Sequence, residues 1–180
     1  MNKSLPRFLI FISILALIFF GKKWFMQPKY NDGELAPQFS TTLIDDRPFS
    51  LSDLQGNYVL LHFWGTWCGP CRADFPKLRE LHKKYHDQKI LNADNFYIVG
   101  VALEGAEDLE RTKRAIDKLG LNWDYHIFDP ISNFKMFNAK IATELYGVRE
   151  VPTKYLIDPK GMIIGVNMPF EEIEMVLQGK

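Results

Sequence analysis

A mixed α/β fold is predicted for this chain, with one sheet covered by helices on both faces and preceded by a β-hairpin. Three observations carry the prediction. Short runs rich in Val, Ile, Phe and Tyr recur along the chain, segments of helical periodicity separate them, and glycine and proline punctuate the joints. With 180 residues, nearly half of them hydrophobic, the chain has the material for one good core and is expected to form a single main domain.

The elements follow in order. Residues 39–44 and 47–51 flank Asp45-Asp46 and read as a short hairpin, after which Ser52 caps a brief turn ending at Gly56. Residues 58–64 form a buried strand. The helix at 68–86 sets Phe75, Leu78, Leu81 and Tyr85 at helical spacing, with charged residues on its other face and Pro76 as a potential bend. A polar loop at 88–95 leads to a strand at 96–103, an amphipathic helix at 107–119 stopped by Gly120, and a short strand at 125–128. Residues 129–138 read as irregular, and 140–146 as a helix ending at Gly147. Strands at 153–158 and 162–166 are joined by Pro159-Lys160-Gly161, and a helix at 170–177 closes the chain.

The N-terminus has a different character. Residues 8–20 are uncharged and almost wholly apolar, with Lys3 and Arg7 before them and Lys22, Lys23 and Trp24 after. The run is short for a membrane span, but residues 5–26 reach across a bilayer core if the lysines snorkel. Without a small-x-small cleavage site, a retained anchor at 1–26 is favoured over a cleaved signal peptide. Residues 27–34 then form a tether, and 35–180 the domain. Basic residues flank both ends of the run, so the positive-inside rule leaves its orientation open. Beyond residue 31 the chain holds 17 basic and 22 acidic residues, a net charge of about −5 that gives nucleic acid no electrostatic footprint.

Cys68 and Cys71, the only cysteines, stand in Trp67-Cys68-Gly69-Pro70-Cys71. If the first thiol sits at a helix start and the second one turn later, the two can close a disulfide. The unpaired N–H groups of the helix end then favour the Cys68 thiolate. His82 and His86 downstream give a spacing close to a zinc finger. On a continuous helix, however, Cys71 and His82 lie about 16 Å apart, too far to share one ion. Redox chemistry is therefore expected, with neither a metal nor any cofactor beyond the cysteine pair.

Three separated motifs resemble the thioredoxin superfamily, and more closely its membrane-tethered TlpA-like and ResA-like thiol–disulfide oxidoreductases, relatives of the AhpC/TSA redoxins. They are Ala36-Pro37-Gln38-Phe39, the Phe63-Trp64-x-x-Trp67-Cys68-Gly69-Pro70-Cys71 segment, and Tyr146-Gly147-Val148-x-x-Val151-Pro152-Thr153. The resemblance implies a thioredoxin-like sheet with an N-terminal hairpin extension, Cys68 as nucleophile and Cys71 as resolving thiol. Pro152 matches a cis-proline facing the disulfide, Val151 offers backbone to an extended substrate, and Trp67, Gly69, Pro70 and Thr153 complete the substrate side. Trp64 suits core and site equally. His62 occupies a position where cytosolic thioredoxin buries an aspartate. It either accepts the proton of Cys71 or is a structural histidine. Asp74 stands where tethered reductases tend to place an acid, and either raises the thiol pKa values or is a solvated first-turn residue. Glu104 reads as a loop acid near the site, and Phe134, Met136 and Phe137 as core or a docking patch.

The resemblance implies reduction of protein disulfides outside the cytoplasm, apocytochrome c being one client class, with electrons from a DsbD-like or CcdA-like membrane protein. The domain is then held at the cell membrane by a single pass, or is periplasmic after cleavage. A peroxiredoxin-like peroxidase and a copper carrier using the two thiols and His62 are the competing functions. The first lacks the Pro-x-x-x-Thr-x-x-Cys pattern.

Overall fold

The computed structural model describes residues 4–25, 29–90, 92–132 and 139–179. Its centre is β3 (Tyr58–Trp64), buried along its whole length because both faces are covered. β3 runs parallel to β4 (Phe96–Gly105) and antiparallel to β6 (Thr153–Ile157). β5 (Tyr125–Ile131) and β7 (Ile163–Val166) form the edges, giving the order β5-β4-β3-β6-β7.

Alternation along the strands divides the core. Val59, Leu61 and Phe63 face one way, with Val99, Val101, Tyr155 and Ile157. The hairpin β1 (Ser40–Thr42) and β2 (Pro48–Ser50), the 3-10 turn at Leu51–Leu54 and a π-helix at Lys140–Leu145 cover that side through Phe49, Leu54, Ile141 and Tyr146. Leu60 and Trp64 face the other way, under α2 (Gly69–Tyr85), α3 (Leu109–Leu119) and α4 (Phe170–Leu177), which contribute Phe75, Leu78, Ile116 and Ile173. The crossovers β3-α2-β4 and β4-α3-β5 step in one direction along the sheet, and one handedness therefore puts both helices on one face.

Several boundaries differ from the sequence reading. β5 runs on through Asp129 and Pro130 to Ile131, because these residues pair with β4 at an edge where proline costs no inner ladder bond. Asp129 then accepts the backbone N–H groups of Lys140, Ile141 and Ala142 at 2.8–3.0 Å, capping the π-helix that follows. Phe134, Met136 and Phe137 lie outside the described residues.

α1 (Ser4–Phe25) stands apart in kind. Its Phe8, Leu9, Ile10, Phe11 and Leu17 are all exposed, on every side of the helix. The uncharged stretch from residue 8 to residue 21 is about 21 Å long, and among the described residues no helix is long and apolar enough to cross a membrane. Residues 29–35 run along the domain. Lys29 Nζ donates to the carbonyls of Glu144 and Leu145, Gly33 N–H donates to Ile163 O at 2.8 Å, and Leu35 bridges Met162.

Candidate active site

Cys68 and Cys71 sit where the end of β3 turns into α2, and they form a disulfide with their Cα atoms 5.3 Å apart. Cys68 is the N-cap residue. Its backbone is extended, and its Sγ accepts the N–H of Cys71 at 3.1 Å. Pro70 lies in the first turn, where its missing N–H costs nothing. Both cysteines are buried, whereas Gly69 and Pro70 are exposed. Among the described residues of this segment Trp67 stands out at 51% exposed. Its ring lies over Gly65, where a Cβ would come within 2.7 Å of it, and its Nε1–H donates to Leu103 O at 3.0 Å.

Glu104 holds the turn before Cys68 from below. It is not on a loop: β4 extends to Gly105 and keeps Glu104 inside the sheet, fully buried. Its carboxylate accepts the backbone N–H of Thr66, the Thr66 hydroxyl at 3.1 Å and Arg111 at 3.0 Å. Arg72 adds a bond to Thr66 O at 3.2 Å. The loop that carries the nucleophile candidate is thus fixed by charge-assisted bonds.

A second charged group lies beneath α2. His62 is on the α2 face of β3, completely buried and edge-to-face with Phe75. Lys154 pairs with it across the β3–β6 ladder and so shares that face. Asp74, on α2, brings them together: its Oδ2 is 3.1 Å from Lys154 Nζ and 3.6 Å from His62 Nε2. The longer distance is an electrostatic contact rather than a hydrogen bond, and neither nitrogen of His62 has a hydrogen-bond partner among the described residues. Burial lowers the His62 pKa by more than Asp74 raises it, which leaves the ring neutral near pH 7. Burial alone raises Asp74, but His62 and Lys154 outweigh it and hold the carboxyl below its ordinary value. Lys154 Nζ also lies 4.8 Å from the centre of the Phe170 ring.

Just before β6, beside the end of β3, the Val151–Pro152 peptide is cis, and Val151 packs against the cluster containing both cysteines. Thr153 is buried, and its hydroxyl donates to Glu150 O at 2.7 Å, which ties up the same turn. Trp64 is fully buried against Phe75 and belongs to the core. Sequence reasoning missed Lys154, Thr66 and Arg111. Lys154 was available only through strand register, whereas the other two depend on where β4 ends.

His82 and His86 lie at the far end of α2 and share nothing with the cysteines. A model of the AhpC/TSA family matches residues 33–166. Thioredoxin-like protein YneN of Bacillus subtilis (strain 168) is 33% identical over 138 residues, which are 77% of this chain and 72% of that protein. Thiol-disulfide oxidoreductase ResA of Bacillus thuringiensis (strain Al Hakam) is 31% identical over 164 residues, 87% of this chain and 85% of its own. Among solved structures, the thioredoxin domain of a thiol-disulfide oxidoreductase from Bacteroides vulgatus superposes with a TM-score of 0.66 at 25% identity, covering 83% of this chain and 99% of that one.

Proposed function

Because this chain belongs to the AhpC/TSA family and is a thiol–disulfide oxidoreductase, we propose that it reduces protein disulfides outside the cytoplasm, with Cys68 as the attacking thiol. The position of Cys68 carries this reading. At the N-cap, its sulfur already accepts a helix N–H, and in the reduced state that bond and the helix end stabilise a thiolate. The Cys68 thiolate attacks one sulfur of the client disulfide, forming a mixed disulfide and expelling a client thiolate. Cys71 then attacks Cys68 Sγ, closing the Cys68–Cys71 bond and releasing the second client thiolate. Two electrons pass to the client. Asp74, or neutral His62, takes the proton Cys71 must lose.

The exposed Trp67 and the Gly69-Pro70 start of α2 form one rim for the client, and the backbone around Val151 and Pro152 the other, where an extended segment adds as a strand. Gly-Pro between the cysteines favours donation of electrons, and apocytochrome c is one suitable client class. A membrane dithiol protein of the DsbD or CcdA kind is the fitting source of electrons, because an oxidising compartment does not supply them. A peroxidase fits less well. Gly65 stands where that chemistry places a threonine, three residues before Cys68, and its Cβ-less position is filled by the Trp67 ring.

We also read α1 as the anchor that keeps the domain at the membrane. Its apolar side chains are exposed all round, Lys22 follows the run, and a helix of this kind is satisfied by lipid rather than by a protein surface. The reductase reading is tested by Cys71→Ser, which is expected to accumulate a mixed disulfide through Cys68, and by Cys68→Ser, expected to abolish insulin reduction. Normal reduction by Cys68→Ser protein overturns the assignment.

A further inference from the structure

The C-terminal end of α2 carries a second cluster, about 21 Å along the helix from Cys68. His82 and His86 are one turn apart, with their rings stacked at 4.4 Å between centres. Asp124, on the segment leading into β5, faces them, and one ligand atom from each of the three residues lies within 4.8 Å of the others.

Hydrogen bonding shows what this cluster lacks. His86 Nδ1 lies 3.4 Å from the Phe96 carbonyl, which can only accept, so Nδ1 carries the ring's hydrogen. The other nitrogen, Nε2, is 3.3 Å from Asp124 Oδ2 and 3.4 Å from Asp87 Oδ2. In the neutral ring that nitrogen is a lone pair, set against two carboxylates. His82 Nε2 is buried without a hydrogen-bond partner among the described residues. Imidazole nitrogens and carboxylate oxygens therefore converge on one point, an arrangement that a metal cation bridges through the deprotonated ring nitrogens.

We propose that His82, His86 and Asp124 form a binding site for a divalent transition-metal ion of the zinc class. Two imidazoles and a carboxylate are a zinc donor set that leaves a fourth position for water or for Asp87. Bonds of about 2.1 Å at a tetrahedral centre put ligand atoms about 3.4 Å apart. His86 and Asp124 already have that spacing at 3.3 Å, and rotation of the half-exposed Asp124 side chain closes the rest. The Phe96 carbonyl supplies the outer-shell acceptor that orients a metal-bound histidine. The bound ion clips the end of α2 to the start of β5. The site is independent of the redox reading, because it uses neither cysteine.

Calorimetric titration of the full chain in detergent, with the Cys68–Cys71 disulfide intact, tests the proposal with zinc as the probe. One zinc per chain is expected, with a rise in Tm at saturating zinc. His86→Gln and Asp124→Asn should each weaken binding at least about tenfold, and the Cys68→Ser/Cys71→Ser double variant should bind as the parent does. Asp124 is exposed, so its variant keeps the test valid if His86→Gln fails to fold. No binding, binding unchanged in Asp124→Asn, or binding lost with the cysteines overturns the proposal.

Discussion

At the scale of the residue, the charges around α2 are expected to set how easily the thiols ionise. Asp74 is not a free first-turn acid. Its side chain is largely buried and paired with Lys154, and the two carry opposite charges whose fields oppose each other. Replacing Asp74 by Asn removes the negative charge and leaves the ammonium of Lys154 unpaired, so both changes favour thiolate. Replacing Lys154 by Met removes the cation and leaves Asp74 unscreened. The apparent thiol pKa, read from alkylation rate against pH, should therefore fall in Asp74→Asn and rise in Lys154→Met, by about half a unit to one unit each at effective dielectric constants of protein interiors. Equal, unshifted profiles in both variants remove the pair from the mechanism. His62 is visible in the sequence, and so is Asp74. Their meeting with Lys154 is not, because it depends on which β6 residue stands opposite His62 in the ladder.

At the scale of the element, the loop between β3 and α2 holds its shape because β4 ends two residues later than its apolar pattern suggests. Glu104 reads as a polar residue after Leu103, and polarity is an ordinary sign that a strand has ended. Here the carboxylate is kept inside by three donors that only the fold assembles. The same physics hides Asp129, whose backbone acceptor role makes a strand end look like a loop. By contrast, β3 and α2 were legible, since their alternation and helical spacing are set by the core they bury. Glu104→Ala leaves a backbone N–H and a guanidinium without their acceptor and should cost about 3 kcal/mol in urea unfolding. Glu104→Gln, which keeps an acceptor, should cost less. A change within about 0.5 kcal/mol for Glu104→Ala would show that water replaces the carboxylate and that the loop is held by other means.

At the scale of the molecule, the chain separates a reactive rim from an apolar N-terminal helix that the domain gives no core to join. The full-length chain is therefore expected to remain in the membrane fraction after alkaline carbonate washing, and a mature N-terminus between residues 20 and 35 would contradict retention. Three motifs far apart in sequence made the fold legible: two of them meet at the end of the sheet where β3, α2 and the Val151–Pro152 turn come together, and the first is tied to the β6–β7 turn through Ala36 and to Tyr146 through Pro37. The direction of electron flow depends on how strongly that end prefers the dithiol or the disulfide. The Gly-Pro pair predicts a reducing dithiol, and the reduction potential of Cys68–Cys71, measured by equilibration with a dithiol buffer of known poise, tests this most directly. A value near that of reducing thioredoxins, about −270 mV, is expected, and a value near that of a strong oxidant, about −120 mV, would show that the pair accepts electrons instead.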